Sequence, residues 1–395
     1  MKRHLVVLTV LAATQLVGWG SVSVLPVLAP RIAADLNSDI TTIFAGSTAM
    51  FVAMGIAAPL AGRGFRRYGA RRLMAVGAAI IGCSLGLVGS ATSVPVLLLA
   101  WAAAGAGGAL FLTTAAYVYI AEYSDRRART LIGTLMLATG PAGSVFWPVT
   151  AYLDHLVGWR ATLFIYSGAM LTFVVPLALF ALPRTAAQPA AEVASTQARR
   201  RGLIFVIVLA AVSTNSFVTF GVEAVGIELL RSMGADLSDA VAIASLLGVA
   251  KVAGRLIDLA GGERWDGLTT AVVAGAAIPI GVAVLAVGGV EIGHLIGYVV
   301  IFGLGSGAFA VARATMPLVF FGKTDYAAAM SGIALPLNFI NALAPPSLAA
   351  LMTSFGPKAT FGLLGCLSAA AFVMLLALTM LRPRPPRSDG ETRAG

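Results

Sequence analysis

Charge is what this sequence has least of. Only 11% of its 395 residues are Asp, Glu, Lys or Arg, whereas a soluble domain carries about 25% because its surface faces water. With 58% hydrophobic residues and a mean hydropathy of +0.91, most of the surface has to face lipid. Cysteine is scarce too. Cys83 and Cys366 lie inside apolar runs, which excludes a disulfide framework and a CxxC centre. The three histidines, His4, His155 and His294, all fall near segment ends, so no metal or other cofactor is expected. Acidic residues number 17 against 27 basic ones. The excess sits in short clusters between apolar runs, not on one face of a soluble fold, so nucleic acid is not an expected partner.

What remains is a series of apolar runs, each long enough to cross roughly 30 Å of hydrocarbon. In the first half they cover 5–29, 42–61, 73–92, 94–121, 131–152 and 161–182. In the second half they cover 203–229, 238–258, 268–289, 294–319, 327–352 and 359–381. The first is read as a retained helix, because no small-x-small cleavage site follows it. The expected fold is an all-α membrane protein with twelve transmembrane helices in two pseudo-symmetric six-helix bundles.

Basic residues set the orientation. With the N-terminus in the cytoplasm, cytoplasmic loops receive Arg63, Arg66, Arg67, Arg71, Arg72, Arg126, Arg127 and Arg129. They also receive Arg199 to Arg201, Arg264, Lys323 and the arginines after Leu381. The other side receives only Arg31, Arg160, Arg231 and Lys358, so both termini are expected inside, in a cell inner membrane.

Residues 1–182 are the expected first bundle, 183–202 a polar cytoplasmic linker, 203–381 the second bundle, and 382–395 a disordered Pro-rich tail. The halves echo each other. Ala61-Gly62-Arg63 recurs as Ala253-Gly254-Arg255, Gly158-Trp159-Arg160-Ala161-Thr162 as Gly356-Pro357-Lys358-Ala359-Thr360, and Pro148 as Pro346. Two similar bundles can rock over a central site without either unfolding, a transporter design.

The loop after the second span reads Gly62-Arg63-Gly64-Phe65-Arg66-Arg67-Tyr68-Gly69-Ala70-Arg71-Arg72. With Gly158-Trp159-Arg160 before the sixth span, it resembles the major facilitator superfamily, and the resemblance runs over essentially the whole length. That family's loop pattern is Gly-x-Leu-x-Asp-Arg-x-Gly-Arg-Arg, so Arg66 stands where the family has an acid. The second-half copy, Gly254-Arg255-Leu256-Ile257-Asp258, keeps it. The helix-4 arginine of proton-driven members is Trp101 here, and the helix-5 antiporter motif survives only as Gly140-Pro141-Ala142-Gly143. Gly18-Trp19-Gly20, Phe146-Trp147-Pro148 and Arg313-Ala314-Thr315-Met316-Pro317 are similar to bacterial relatives of the monocarboxylate-porter branch.

An ionisable residue inside a membrane span is a functional candidate, since Lys or Arg at a helix centre costs roughly 2.5–3.5 kcal/mol. Lys251 in helix 8 is the expected substrate-binding charge, an ammonium for a carboxylate; the resemblance implies charged residues that handle substrate in this part of helix 8. The alternatives are a salt bridge to Asp258, or snorkelling. Glu223 in helix 7 is the candidate proton carrier, since a desolvated carboxyl can exchange protons near neutral pH; the alternative is a pair with Arg231. Neutral candidates for a central pocket are Gln15, Trp19, Ser23, Tyr117, Trp147, Asn215, Asn338 and Asn341.

The gate follows from the resemblance. In the superfamily the acidic loop residue stabilises the inward-closed face near the start of helix 11, which Arg66 cannot do by attraction to a positive helix N-terminus. Asp325 is its expected partner in a charge-swapped latch. Asp258 is expected to face Arg126 and Arg129 at the start of helix 5, and Arg313 is a further gate candidate.

The expected activity is alternating-access transport of a small organic anion such as a monocarboxylate, proton-coupled or by exchange. The alternative is an efflux pump for drugs or toxic metabolites. An enzyme is not expected, because no cluster of His, Asp or Glu gathers at one membrane face. The resemblance implies a monomer.

Overall fold

The computed structural model describes residues 2–124, 127–140, 142–184 and 195–382. The elements are all helical in that range. The first half contains α1 (Lys2–Val22), α2 (Leu25–Asp35), α3 (Ile40–Tyr68), α4 (Ala70–Gly89), α5 (Val94–Phe111), α6 (Thr113–Tyr123), α7 (Ala128–Thr139) and α8 (Ala142–Ala169). Two π-helical turns follow, Met170–Val174 and Leu177–Ala181. The second half contains α9 (Ser195–Ser232), α10 (Leu237–Gly261), α11 (Gly267–Gly288) and α12 (Ile292–Met380). The linker residues 185–194, the tail residues 383–395 and the gate candidate Arg126 lie outside the described residues.

α12 is nominally 89 residues long, which as one straight rod would run roughly 130 Å, several times a bilayer core. Glycines break it. Gly322 (φ 58°) and Gly356 (φ 79°) have non-helical backbone inside it, as Gly158 (φ 81°) does inside α8. Among the described residues nine helical runs are long and apolar enough to cross a membrane. Splitting Val145–Ala181 at Gly158, with α7 completing its first part, splitting Asp325–Met380 at Gly356, and adding α10 gives twelve successive spans. The first is α1 with α2, interrupted just before Pro26; the fourth is α5 with α6, interrupted at Leu112.

The helices run past the apolar limits of the sequence. α3 continues through Arg63, Arg66 and Arg67 before Gly69, at φ 78°, turns the chain into α4. Propensity explains this, since arginine is a good helix former and lipid sets no limit beyond the interface. N-caps mark two corresponding starts. Asp39 accepts from Thr42 N at 2.8 Å ahead of α3, and Asp266 accepts from Thr269 N at 2.8 Å ahead of α11.

The repeat read from sequence has a backbone counterpart. Thr162 Oγ1 donates to Gly158 O at 2.9 Å, and Thr360 Oγ1 donates to Gly356 O at 3.1 Å. Both threonines are fully buried, so each half repeats the same glycine turn and threonine brace. The buried apolar side chains form two clusters. One spans Val7 to Leu182 and takes in Val311, Ala314, Tyr326, Ala327 and Met330 from α12; the other spans Ile204 to Leu378. Outside them the surface is apolar: Phe180 is 83% exposed and Val287 89%. Such a face is stable only in lipid.

Candidate functional site

The break at Leu112 is where the site begins. Leu112 has extended backbone (ψ −164°) between α5 and α6, which disturbs the helical pairing around it. In lipid each freed backbone group needs a partner, and α1 supplies the side chains. Gln15 Nε2 donates to Phe111 O at 2.7 Å, and Trp19 Nε1 donates to Thr113 Oγ1 at 2.7 Å. Two of the polar residues singled out in helix 1 therefore hold the kinked fourth span. Gln15 is buried in that contact, while Trp19 also faces a cavity.

That cavity, of about 200 Å³, lies between the halves. From the first half it is lined by Trp19, Phe51, Met54, Leu112, Thr113 and Tyr117; from the second by Phe220, Arg313, Met330, Ser331, Asn338 and Asn341. Ser331 Oγ and Asn341 Oδ1 are buried with no hydrogen-bond partner among the described residues. Asn338 uses its amide on Ala334 O, 2.7 Å away. Trp19, Tyr117, Asn338, Asn341 and Arg313 are thus brought to one chamber. Trp147 and Asn215 are not. Trp147 is 44% exposed and donates to Ser23 O at 2.9 Å. Asn215 is fully buried in α9.

A second, smaller chamber of about 110 Å³ adjoins the first, and Phe220 and Arg313 line both. Its charged residues are Glu223, Lys251, Arg255 and Arg313. Lys251 Nζ forms an ion pair with Glu223 Oε1 across α10 and α9. The pair with Asp258 and the pair with Arg231 weighed from sequence are therefore not the contacts made by Lys251 and Glu223. The Arg313 guanidinium stacks over the Phe220 ring, 5.6 Å from its centroid. Neither Arg255 nor Arg313 has a carboxylate partner among the described residues. With Glu223 matched by Lys251, the chamber carries two guanidiniums in excess among the described residues.

The sequence reading missed Arg255 and Phe220 as lining residues. A signal existed for Arg255, which stands four residues after Lys251 and hence on the same helical face. Nothing in the sequence marks Phe220, because an apolar ring in an apolar run has no contrast.

Asp258 lies beyond the chamber, near the end of α10. Its Oδ1 accepts from Arg129 Nη2 at 2.6 Å and from Thr270 Oγ1 at 2.5 Å, while Arg129 Nη1 donates to Gly262 O at 2.6 Å. The Asp258 side chain is 3% exposed. This bridge joins α7 of one half to α10 and α11 of the other, at the arginine-rich end. At the same end Gly62 of α3 packs on Ser331 and Ala327, so the halves touch there on both flanks. Arg66 is half-buried at the end of α3, and Asp325 stands three residues past the Gly322 break.

The profile of the Major Facilitator Superfamily matches residues 10–293. The chain belongs to that superfamily. Solved structures with the same fold include the human organic anion transporter MFSD10 (TETRAN), at 14% identity and a TM-score of 0.69, covering 94% of this chain and 99% of that one. Another is the proton:xylose symporter XylE bound to 6-bromo-6-deoxy-D-glucose, at 14% identity and 0.68, covering 95% and 96%. No curated protein matches the chain in sequence. The superfamily fold makes this a multi-pass membrane transporter of small solutes.

Proposed function

We propose that this carrier works by alternating access and moves a small organic anion, such as a monocarboxylate, across the inner membrane, proton-coupled or by exchange. The observation that carries the reading is the small chamber, where among the described residues Lys251, Arg255 and Arg313 face a single acid, Glu223. Cations held inside a membrane protein without a carboxylate partner favour an anion beside them, and a carboxylate fits a guanidinium fork in two hydrogen bonds. Lys251 is the substrate-binding charge and Glu223 its resting counter-ion and proton carrier. Trp19, Tyr117, Asn338 and Asn341 shape the larger chamber beside them. Gln15, Trp147 and Asn215 belong to the supporting shell around it.

In this reading residues 1–182 and 203–381 are the two rocking bodies joined by 183–202, with both termini cytoplasmic and the arginine-rich end facing the cytoplasm. The gate at that end combines Asp258 with Arg129 on one flank and Arg66 with Asp325 on the other, with Arg313 between the chambers. The monocarboxylate-porter resemblance supports the same substrate class. The superfamily resemblance supports a monomer as the working unit.

A binding screen tests the reading. A ligand that binds the folded state raises its stability by about 2.7 kcal/mol at a hundredfold excess over Kd. Small carboxylates are expected to raise the melting temperature of the purified protein, and Lys251→Gln to abolish that shift while Lys251→Arg keeps part of it. Equal shifts for wild type and Lys251→Gln would remove Lys251 as the binding charge, and no shift with any carboxylate would defeat the anion reading. The apolar wall of the larger chamber, with Phe51, Met54, Leu112 and Met330, favours a second reading, efflux of amphipathic compounds. Stabilisation by lipophilic cations, and by no carboxylate, would select it.

A further inference from the structure

Arg255 lines the small chamber, yet its guanidinium also reaches out of its own half. Nη1 lies 3.5 Å from the Met136 carbonyl of α7, and a Cβ added at Gly140 would meet that same nitrogen at 2.6 Å. α7 ends at Thr139, with Gly140 as its C-cap. The next residue is Pro141, which has no N–H to offer the Leu137 carbonyl. The end of α7 therefore presents partial negative charge within the membrane, and Arg255 is the cation set against it. A helix end is a weaker partner than a carboxylate. Arg255 Nε is buried and has no partner among the described residues, so the guanidinium retains a donor for something else.

Two clamps thus join the same pair of helices. Arg129 of α7 holds Asp258 of α10, and Arg255 of α10 rests on the far end of α7. We infer that Arg255 couples cargo to gate: seated on the C-terminus of α7 it braces the two halves together, and an anion entering the small chamber draws it off that seat. Gly140 belongs to the device, because the seat exists only where that position lacks a Cβ. The inference rests on the anionic-cargo reading above. Arg255 is here a positioning residue acting through α7.

Cross-linking reads the brace directly. At Gly133 an added Cβ would lie 3.6 Å from Leu259 Cδ1 across the interface, so Gly133→Cys with Leu259→Cys reports closure. The full chain is used, with Cys83→Ser and Cys366→Ser, a short thiol-bridging reagent, and pyruvate as the probe anion. Coupling between sites is typically worth fivefold or more, so pyruvate is expected to slow cross-linking of the parent by about fivefold. Gly140→Ala and Arg255→Gln should each slow it by a similar factor without pyruvate. Arg255→Gln should then show no further response to pyruvate, and Arg255→Lys should keep part of it. Cross-linking at the parental rate in both Gly140→Ala and Arg255→Gln would overturn the inference. If both slow it but no small carboxylate stabilises or affects the parent, the coupling to cargo falls together with the anion reading, and only the brace survives.

Discussion

Asp258→Ala is expected to loosen the arginine-rich end and to lower the melting temperature of the purified protein. Asp258 Oδ1 receives Arg129 and Thr270 at once, at 2.6 and 2.5 Å. The Arg129 side chain is 16% exposed and that of Asp258 3%. Deleting the acid leaves the Arg129 guanidinium with only neutral acceptors, Gly262 O at 2.6 Å and Thr270 Oγ1 at 3.1 Å. Breaking a buried pair by removing one partner costs about 3–5 kcal/mol. The loss falls on the state closed at this end, so the carrier should shift toward the opposite state as well as unfold more easily. Thiol labelling of Gly133→Cys should rise with Asp258→Ala, and the exchange Arg129→Asp with Asp258→Arg should restore part of the protection. Unchanged labelling and melting in Asp258→Ala would show that the bridge holds nothing. Asp258→Asn, which keeps an acceptor for Thr270 and Arg129, should fall between.

Gly307→Val is expected to prevent accumulation of folded protein. An added Cβ there would overlap the backbone of Lys251, and one at Gly254 would overlap the carbonyl of Leu304. The obstacle is main chain in both cases, so no rotamer change relieves it. α10 and the first stretch of α12 therefore touch backbone to backbone, which is how helices associate where lipid offers no hydrophobic driving force. Overpacking costs about 1–3 kcal/mol and occasionally more, and valine adds two methyls to an already impossible Cβ. Gly307→Ala should be milder, and should also disturb the small chamber, because the displaced segment carries Lys251. Gly365→Val, where an added Cβ meets nothing within 4 Å, is the matched control and should leave yield and melting unchanged. Equal yields of Gly307→Val and Gly365→Val, measured by size-exclusion chromatography, would refute the close-approach argument.

The fold was open to reading because lipid imposes a strong rule. Every spanning segment must be apolar and must satisfy its own backbone, so span positions show in composition alone, and the glycine turns at Gly158 and Gly356 repeat in the sequence as they do in the backbone. The interruption at Leu112 did not show. It has no proline or glycine at the break, and it is held by Gln15 and Trp19 from another helix. Gln15 looked like a pocket polar group from sequence, since a span that carries Gln gives no hint whether its partner is a solute or a carbonyl; Trp19 both braces the break and lines the cavity.

The sequence by itself determined the membrane class, the superfamily motifs and the charged residues that had to matter, because charge inside a bilayer is costly wherever it is placed. Only the tertiary structure decided the pairing. Lys251 meets Glu223 and Asp258 meets Arg129, although Lys251 and Asp258 sit on one helix two turns apart. Which acid meets which base depends on how α7, α9 and α10 approach one another. That approach is set by glycines, kinks and side-chain fit contributed by segments far apart in the chain, and no local pattern records it.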